Sequence, residues 1–490
     1  MGVKECLSTP ARINHYRRAR RAGKLTQGMT MDCIGCKLRA ALLTISLLGA
    51  TLPVAASEIS QLAPVADQIL SHSTQQDGPG ISALVSKDGK VIYRASRGMA
   101  SLELHVATAD DDVYRVGSIT KTVTAATILL LSQQGKLSLA DPLSRFLPDF
   151  PHASDVTIAE LLNHTAGISD AWNVDPTLSM DTRTLVGQIA KQPLDFKPGS
   201  EWRYSNSGYM LLGAVIEKVT GRRWDEVEHD LVFAPFGMAH TGYYPDDAVV
   251  SHLVQGYSAD THGAVARPPF VSINGPMTAG ALASTSDDVR RLVEGLNDGK
   301  TFPSSLLKEM TTPVRLPDGS TAPYGYGVMP DRLRGEQAFE HNGGIEGFSS
   351  QYVYMPEEKV TVVVLTNSDA GKPNARSIAH QLAALAIGKP YQRFDDASLS
   401  RREVEALLGS YEIQGESRHV ITSQSGQLYI QRAPGPKRPL TPARGELLYY
   451  SGDGTDYFHV VRSKNGEVTA LEFYPDGMGP SRLEKRVGAP

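Results

Sequence analysis

A ten-residue stretch, Tyr114-Arg115-Val116-Gly117-Ser118-Ile119-Thr120-Lys121-Thr122-Val123, constrains this chain more than any other. An extended, apolar piece meets a Gly and then a Ser. The chain then runs through Thr124-Ala125-Ala126-Thr127-Ile128-Leu129-Leu130-Leu131 with no Gly or Pro, which predicts a helix. Ser118 falls at the N-terminus of that helix and Lys121 one turn later. Residues three apart share a helix face, so the Lys amine can reach the Ser hydroxyl. The free N–H groups and positive dipole end of a helix N-terminus favour a developing oxyanion. A Ser is a weak nucleophile until a neighbouring base takes its proton, and a partly desolvated Lys has a lowered pKa suited to that work. The spelling S-x-x-K alone is a weak signal. Ser305-Leu306-Leu307-Lys308 repeats it and reads as the start of an ordinary helix.

Two further motifs follow in order. Tyr204-Ser205-Asn206 stands after the turn Pro198-Gly199 and before a helical run with apolar positions at Leu211, Leu212, Val215, Ile216 and Val219, closed by Gly221. A loop Tyr ahead of a helix can project its phenol into a cleft, where a cation such as Lys121 favours the phenolate. His341-Asn342-Gly343-Gly344 precedes two apolar runs, Phe348 to Met355 and Val360 to Leu365, which read as antiparallel neighbours. A second H-x-G, His240-Thr241-Gly242, leads into no such pair, so His341 is preferred. His164, in the run 158–168 that reads as a short helix ending at Gly167, is taken as a structural hydrogen-bonding group.

The 490 residues are too many for one ordinary domain. Residues 1–57 hold nine Lys/Arg against two Asp/Glu, +7, leaving −11 for the rest of a chain whose net charge is −4. That acidic remainder has no basic stripe, so nucleic acid is not an expected partner. Lys37 and Arg39, an apolar run from Ala40 to Ala56 and the small residues Ala55-Ala56-Ser57 describe a secretory leader cleaved after Ala56 or Ser57. Export, periplasmic or secreted, is the expectation, with membrane attachment only if the leader stays uncleaved. Cys6, Cys33 and Cys36 all precede the cleavage point, so no disulfide, thiol nucleophile or Cys metal site is expected beyond it. No metal and no cofactor are expected.

The remaining order is a helix from Glu58 to Ser73, a hairpin of 81–86 and 91–95 about Asp88-Gly89, a Gly-rich turn and capped helix over 275–290, and a helix from Ala375 to Ile387. After Pro390 the composition changes to short alternating runs separated by turns, an all-β module. The expected units are residues 1–57 (upstream extension and leader), 58–390 (catalytic unit), 391–400 (linker) and 401–490 (β module). The β module is expected either to restrict access to the site or simply to dock and stabilise.

With Ser118-x-x-Lys121, Tyr204-x-Asn206 and His341-x-Gly343 in that order, the chain resembles the serine β-lactamase and penicillin-binding family. It is similar to the subset holding class C β-lactamases, D-Ala-D-Ala carboxypeptidases, D-aminopeptidases and related esterases. The stretches Leu161-Leu162-Asn163-His164-Thr165-Ala166-Gly167, Phe236-Gly237-Met238 and Gly344-Ile345-Glu346-Gly347-Phe348 add to the likeness, which covers about residues 60–390. The tail looks like the lipocalin-like domain often appended to such hydrolases. The resemblance implies an α/β (α+β) fold, a mixed sheet flanked by helices with a helical lobe, plus a C-terminal barrel. It implies Ser118 as acylated nucleophile, Lys121 and Tyr204 sharing the acid–base work, Asn206 orienting substrate and Lys121, and the N–H groups of Ser118 and Gly344 as oxyanion hole. The implied activity is hydrolysis of a small-molecule or peptide substrate, a D-amino-acid peptide, amide or ester. Class C-like β-lactamase action and a slowly deacylating penicillin receptor are the alternatives. Where many of these β-lactamases have Lys-Thr-Gly, this chain has His341-Asn342-Gly343. An imidazole is a weaker, pH-dependent carboxylate anchor, which leans away from efficient β-lactam hydrolysis.

Overall fold

The computed structural model describes residues 54–488 except 171–174, 413–417, 433–434, 452–453 and 479. The expected leader and the upstream extension lie outside the described residues, apart from the few at its end that enter the first helix, Val54–Ser73. Among the described residues no helix is long and apolar enough to cross a membrane.

The catalytic unit is built on a six-stranded sheet in the order Met329–Leu333, Glu336–Ile345, Phe348–Met355, Val360–Thr366, Ile81–Lys87, Lys90–Arg97, with every neighbouring pair antiparallel. The hairpin at Asp88-Gly89 forms as expected, both residues taking positive φ (51° and 73°) as a two-residue turn requires. Strand Val360–Thr366 is buried along its whole length. Its side chains alternate: Val360, Val362 and Val364 enter one core with Leu62, Leu70, Ile378 and Leu382, while Val363 and Leu365 enter another with the helical lobe. A central strand covered on both faces has this uninterrupted apolar spelling for that reason. Helices Val54–Ser73 and Ala375–Ala386 cover the first face.

The helix after Ser118 spans Thr120–Gln133 and is buried almost all round. Its low amphipathicity in sequence follows from that central position between sheet and helical lobe. Ser118 itself stands one step earlier than expected, in the 3-10 turn Gly117–Ile119 that leads into the helix. The short helix near His164 is also briefer than its spelling: it covers Ile158–Leu162, and His164 takes a left-handed conformation (φ 64°).

The C-terminal module is a closed barrel of eight antiparallel strands between Gly409 and Gly488. Its lumen is filled by Tyr411, Ile421, Ile430, Leu440, Phe458 and Leu471. The expected linker 391–400 is not a free tether. Phe394 stacks on Tyr449 (4.7 Å between ring centroids), Ala397 N–H donates to Pro442 O at 2.9 Å, and Tyr449 OH donates to Asp396 at 2.6 Å. The barrel meets the catalytic unit at the turn joining Met329–Leu333 to Glu336–Ile345. There Arg334 donates to the Asp476 carbonyl at 2.6 Å and to the Lys389 carbonyl at 2.9 Å. Its guanidinium lies 4.8 Å from the Tyr391 ring centre, and Tyr391 OH donates to the Asp476 carboxylate.

Candidate active site

At Gly117 the fold requires a glycine. Its φ is +51°, and a Cβ there would fall 2.8 Å from the Gly344 nitrogen. This close approach brings Ser118 against strand Glu336–Ile345. Gly343 is equally forced, because its Cβ would meet the Val116 carbonyl at 1.9 Å. The Gly-rich spelling of both motifs is therefore one steric event seen from two sides.

The register fixes the direction of the Gly344 N–H. A two-residue turn, Glu346-Gly347, closes the pair Ile345↔Phe348. Hydrogen-bonded and open pairs alternate along an antiparallel ladder, so Gly343↔Ser350 is bonded and Gly344 points its N–H and C=O to the opposite edge. That edge is the one Gly117 and Ser118 approach.

Lys121 is fully buried and makes three contacts through Nζ: Ser118 Oγ at 3.1 Å, Asn206 Oδ1 at 2.8 Å and the Ala279 carbonyl at 2.7 Å. Burial lowers its pKa to about 7, against a smaller opposing pull from Asp170. A neutral amine has two hydrogens and one lone pair. Two of the three partners accept only, so the lone pair is left for the Ser118 hydroxyl.

Tyr204 lies beside Ser118, with Lys121 Nζ 4.8 Å from its ring centre. The sequence expectation of a stabilised phenolate does not survive. Burial raises the Tyr204 pKa, outweighing the lowering by Ser118, so the phenol keeps its proton. Asn206 opens the helix Asn206–Thr220, and Ser205 caps it by accepting from Gly208 N at 3.1 Å.

The structure also corrects the role given to His341. The ring is completely buried beneath the cleft. Its Nε2 accepts from Tyr324 OH at 2.6 Å, and Nδ1–H donates to the Asn342 carbonyl at 2.6 Å. Burial, with Lys121 adding to it, pushes its pKa down to about 3. With both nitrogens engaged and no charge, it is no carboxylate anchor. His164 is structural, as expected. Its Nδ1 accepts from Ser205 N–H at 3.2 Å, and its ring packs 4.3 Å from Tyr204 and 4.5 Å from Tyr324. The alternatives stand elsewhere: Ser305 and Lys308 are in the helix Ser304–Thr311, and His240 donates its N–H to Asp288.

Asp170 is the site residue that the sequence motifs do not reveal. Its carboxylate accepts from Asn206 N (2.8 Å), Ser207 N (2.8 Å), Ser205 Oγ (3.0 Å) and Asn206 Nδ2 (3.3 Å). The first three seat an anion on a helix N-terminus. The fourth decides which way the Asn206 amide turns, and so which atom Lys121 meets. The only sequence signal was an acid shortly after the Gly167 turn.

Ser118 opens into a cleft of about 390 Å³. Its apolar flank includes Met180, Met210, Val271 and Ile345; its charged lining residues are Asp170 and Glu346, both acids. No Lys or Arg is among the described lining residues.

The half-buried Ser118 and the buried Lys121, with Tyr204 beside them, stand at the junction of an antiparallel sheet and a helical lobe. Comparison with known proteins places the chain in a family. The family described as Beta-lactamase matches residues 65–387. The chain is 26% identical over 423 residues to a penicillin-binding protein of Bacillus subtilis (strain 168), covering 81% of this chain and 93% of that protein. It is 28% identical over 347 residues to a D-aminopeptidase of Gluconobacter oxydans (strain 621H), covering 68% of this chain and 63% of that longer protein. Among solved structures, a D-stereospecific amidohydrolase from Streptomyces sp. aligns with a TM-score of 0.55 and 28% identity, over 63% of this chain and 94% of that one. An octameric penicillin-binding protein homologue from Pyrococcus abyssi shares the fold at a TM-score of 0.61 and 24% identity, over 88% of this chain and all of that one. The chain belongs to the Beta-lactamase family, and it is a hydrolase of that family.

Proposed function

We propose that the chain is a serine acyl hydrolase of the D-aminopeptidase or D-amino-acid amidase type, working through a covalent acyl-Ser118. The observation that carries the substrate side is the charge of the cleft. Ser118 is flanked by Asp170 and Glu346, no cation lines the described walls, and His341 is withdrawn and neutral. Such a cleft repels a substrate carboxylate and attracts an amine. The apolar flank suits a hydrophobic side chain on the acyl part. The relatives named D-aminopeptidase and D-stereospecific amidohydrolase support the D-configuration.

In this reading Ser118 Oγ attacks the scissile carbonyl carbon as its proton passes to the Lys121 lone pair. The carbonyl oxygen becomes an oxyanion between the N–H groups of Ser118 and Gly344; losing one such donor raises the barrier by about 3–4 kcal/mol. Lys121 comes first because burial brings its pKa to about 7, so a large share of it is the free amine near that pH, whereas Tyr204 is held protonated. The Tyr204 phenol then gives its proton to the leaving amine and takes one back from the Lys121 ammonium, so that both groups return to their starting forms before water attacks. Water repeats the sequence on the acyl-enzyme and releases the acid.

The test is a turnover panel: D-amino-acid amides with a free amine, their N-acetyl forms, a D-Ala-D-Ala peptide, nitrocefin and p-nitrophenyl esters. Preference for the free amine over its N-acetyl form is expected. Preference for the carboxylate-bearing peptide or for nitrocefin sinks the reading. Export through the leader is proposed with it, and N-terminal sequencing of the exported chain decides the cleavage point.

A further inference from the structure

We propose that Glu228, which touches no substrate-facing atom, is a positioning residue: through Thr124 and Thr278 it fixes the turn whose Ala279 carbonyl holds Lys121. The inference rests on the reading of Ser118 and Lys121 as nucleophile and base.

Glu228 ends the helix Trp224–Glu228, where the chain passes into a π-helical turn, His229–Phe233. It is completely buried beside the apolar Val227, Val232 and Phe233. Its Oε1 lies 2.7 Å from Thr124 Oγ1, and its Oε2 is buried with no partner among the described residues. An ionised carboxylate with a bare oxygen in such a place is strongly disfavoured. Among the described residues no cation offsets it, and Asp225 adds repulsion to burial, so the group is held as the neutral acid.

The hydrogens can then be assigned. Thr124 has one hydroxyl hydrogen but three oxygens within reach: Glu228 Oε1, the Thr278 carbonyl at 2.9 Å and the Thr120 carbonyl at 3.3 Å. A protonated Glu228 brings its own hydrogen, which Thr124 Oγ1 accepts. That frees the Thr124 hydrogen for Thr278 O. The direction is one-way, from carboxyl to hydroxyl to carbonyl.

Thr278 is gripped from the other side as well, because its own hydroxyl donates to Tyr209 O at 2.8 Å. It belongs to the one-turn helix Met277–Gly280, entered through Met277 at φ +40°. Four residues that short have little hydrogen bonding of their own to hold them. The next carbonyl in that turn, Ala279 O, is the 2.7 Å partner of Lys121 Nζ. The buried acid thus acts on the base through Thr124, Thr278 and Ala279.

The charged group acting on Lys121 from the helical lobe is Asp170; His164 and His341 face it uncharged. A loosened Ala279 carbonyl removes an acceptor that favours the ammonium over the amine, since hydrogen bonds to a charged donor are the stronger. The base would then titrate lower and sit less well against Ser118.

The test compares Glu228→Gln, Glu228→Leu, Thr124→Val and the double variant in the full chain. The readout is the pH dependence of Ser118 labelling by a fluorophosphonate. Gln retains a donor to Thr124 and is expected to keep rate and profile. Leu and Val are each expected to slow labelling about three- to tenfold. Both should move the acid limb to lower pH by about half a unit. The double variant should be no worse than Thr124→Val, because both changes cut one relay. The proposal fails if Leu leaves rate and profile unchanged, if Gln falls with Leu, or if the two losses add. A fall in melting temperature with an unmoved acid limb makes Glu228 merely structural and also overturns it. If Ser118→Ala still takes the label, the site assignment has failed rather than the relay.

Discussion

The Lys121 amine stands 3.1 Å from the Ser118 hydroxyl, and its two remaining contacts, Asn206 Oδ1 and the Ala279 carbonyl, can only accept. The arrangement is complete for a neutral amine. The ammonium would point a hydrogen at the oxygen it has to deprotonate. Acylation is therefore expected to rise with pH through about 7, the folded-state value for Lys121. Lys121→Met should abolish labelling of Ser118. A rate that falls across that window removes Lys121 as the first base.

The same group makes a stability prediction of determined sign. Lys121 titrates near 7 in the folded chain and near 10.5 when exposed. Between these values the unfolded chain binds the extra proton, so stability rises as pH increases through the window. Lys121→Met has no such term. Its melting-temperature advantage over the parent should be largest at pH 7 and below, and should shrink toward pH 10.5. A constant difference across the window contradicts the buried-amine reading.

Asp170 seats two backbone N–H groups and turns the Asn206 amide toward Lys121. Asp170→Asn presents hydrogens where acceptors are needed. We expect kcat to fall about tenfold with a smaller change in KM, because the loss bears on the base and not on the substrate. A pure KM effect would instead make Asp170 a substrate contact.

What the sequence showed and hid follows from the range of the interactions involved. Ser118 and Lys121 are one helical turn apart, and the strands Phe348–Met355 and Val360–Thr366 are written as local apolar runs, so both could be read. Asp170, Glu346 and the Ala279 carbonyl reach the cleft only through tertiary folding, and a backbone carbonyl has no spelling. His341 lies in the strand that meets Gly117, but its ring is turned into the interior. Its neighbour Tyr324 and the depth of its burial belong to another segment. The barrel was legible as a β module, but strand Lys437–Ala443 contains Pro439 and Pro442, which read as breaks.

Glu346 should set charge preference at the cleft. It is exposed, and the hairpin turn places it two residues beyond Gly344. Glu346→Lys is expected to lower kcat/KM for free-amine substrates and raise it for carboxylate-bearing ones, with little change in melting temperature. The contrast is His341→Lys. An ammonium in the sealed place of a neutral imidazole, facing Tyr324, should lower the melting temperature without improving carboxylate substrates. If His341→Lys gives the switch and Glu346→Lys does not, the anchor lies at His341 after all.

The barrel's contacts argue that it docks and stabilises. Arg334 and Asp476 meet at the turn preceding Glu336–Ile345, and Gly344 lies near the other end of that strand. Ten residues of extended chain span about 30 Å, so the dock and the cleft are far apart on one element. None of the described barrel residues lines the cleft. Asp476→Ala removes the carboxylate that Tyr391 OH and Arg334 N–H both use. It leaves the barrel's own ladder intact, since Asp476 sits in the 3-10 turn Pro475–Gly477 between strands. The expected result is a lower melting temperature for the catalytic unit. The ratio of rates on a bulky acyl substrate and a small p-nitrophenyl ester should stay unchanged. A gate would behave otherwise, because loosening it would raise the bulky-substrate rate selectively while the small ester stayed level. That selective gain is the result that would restore an access-restricting barrel.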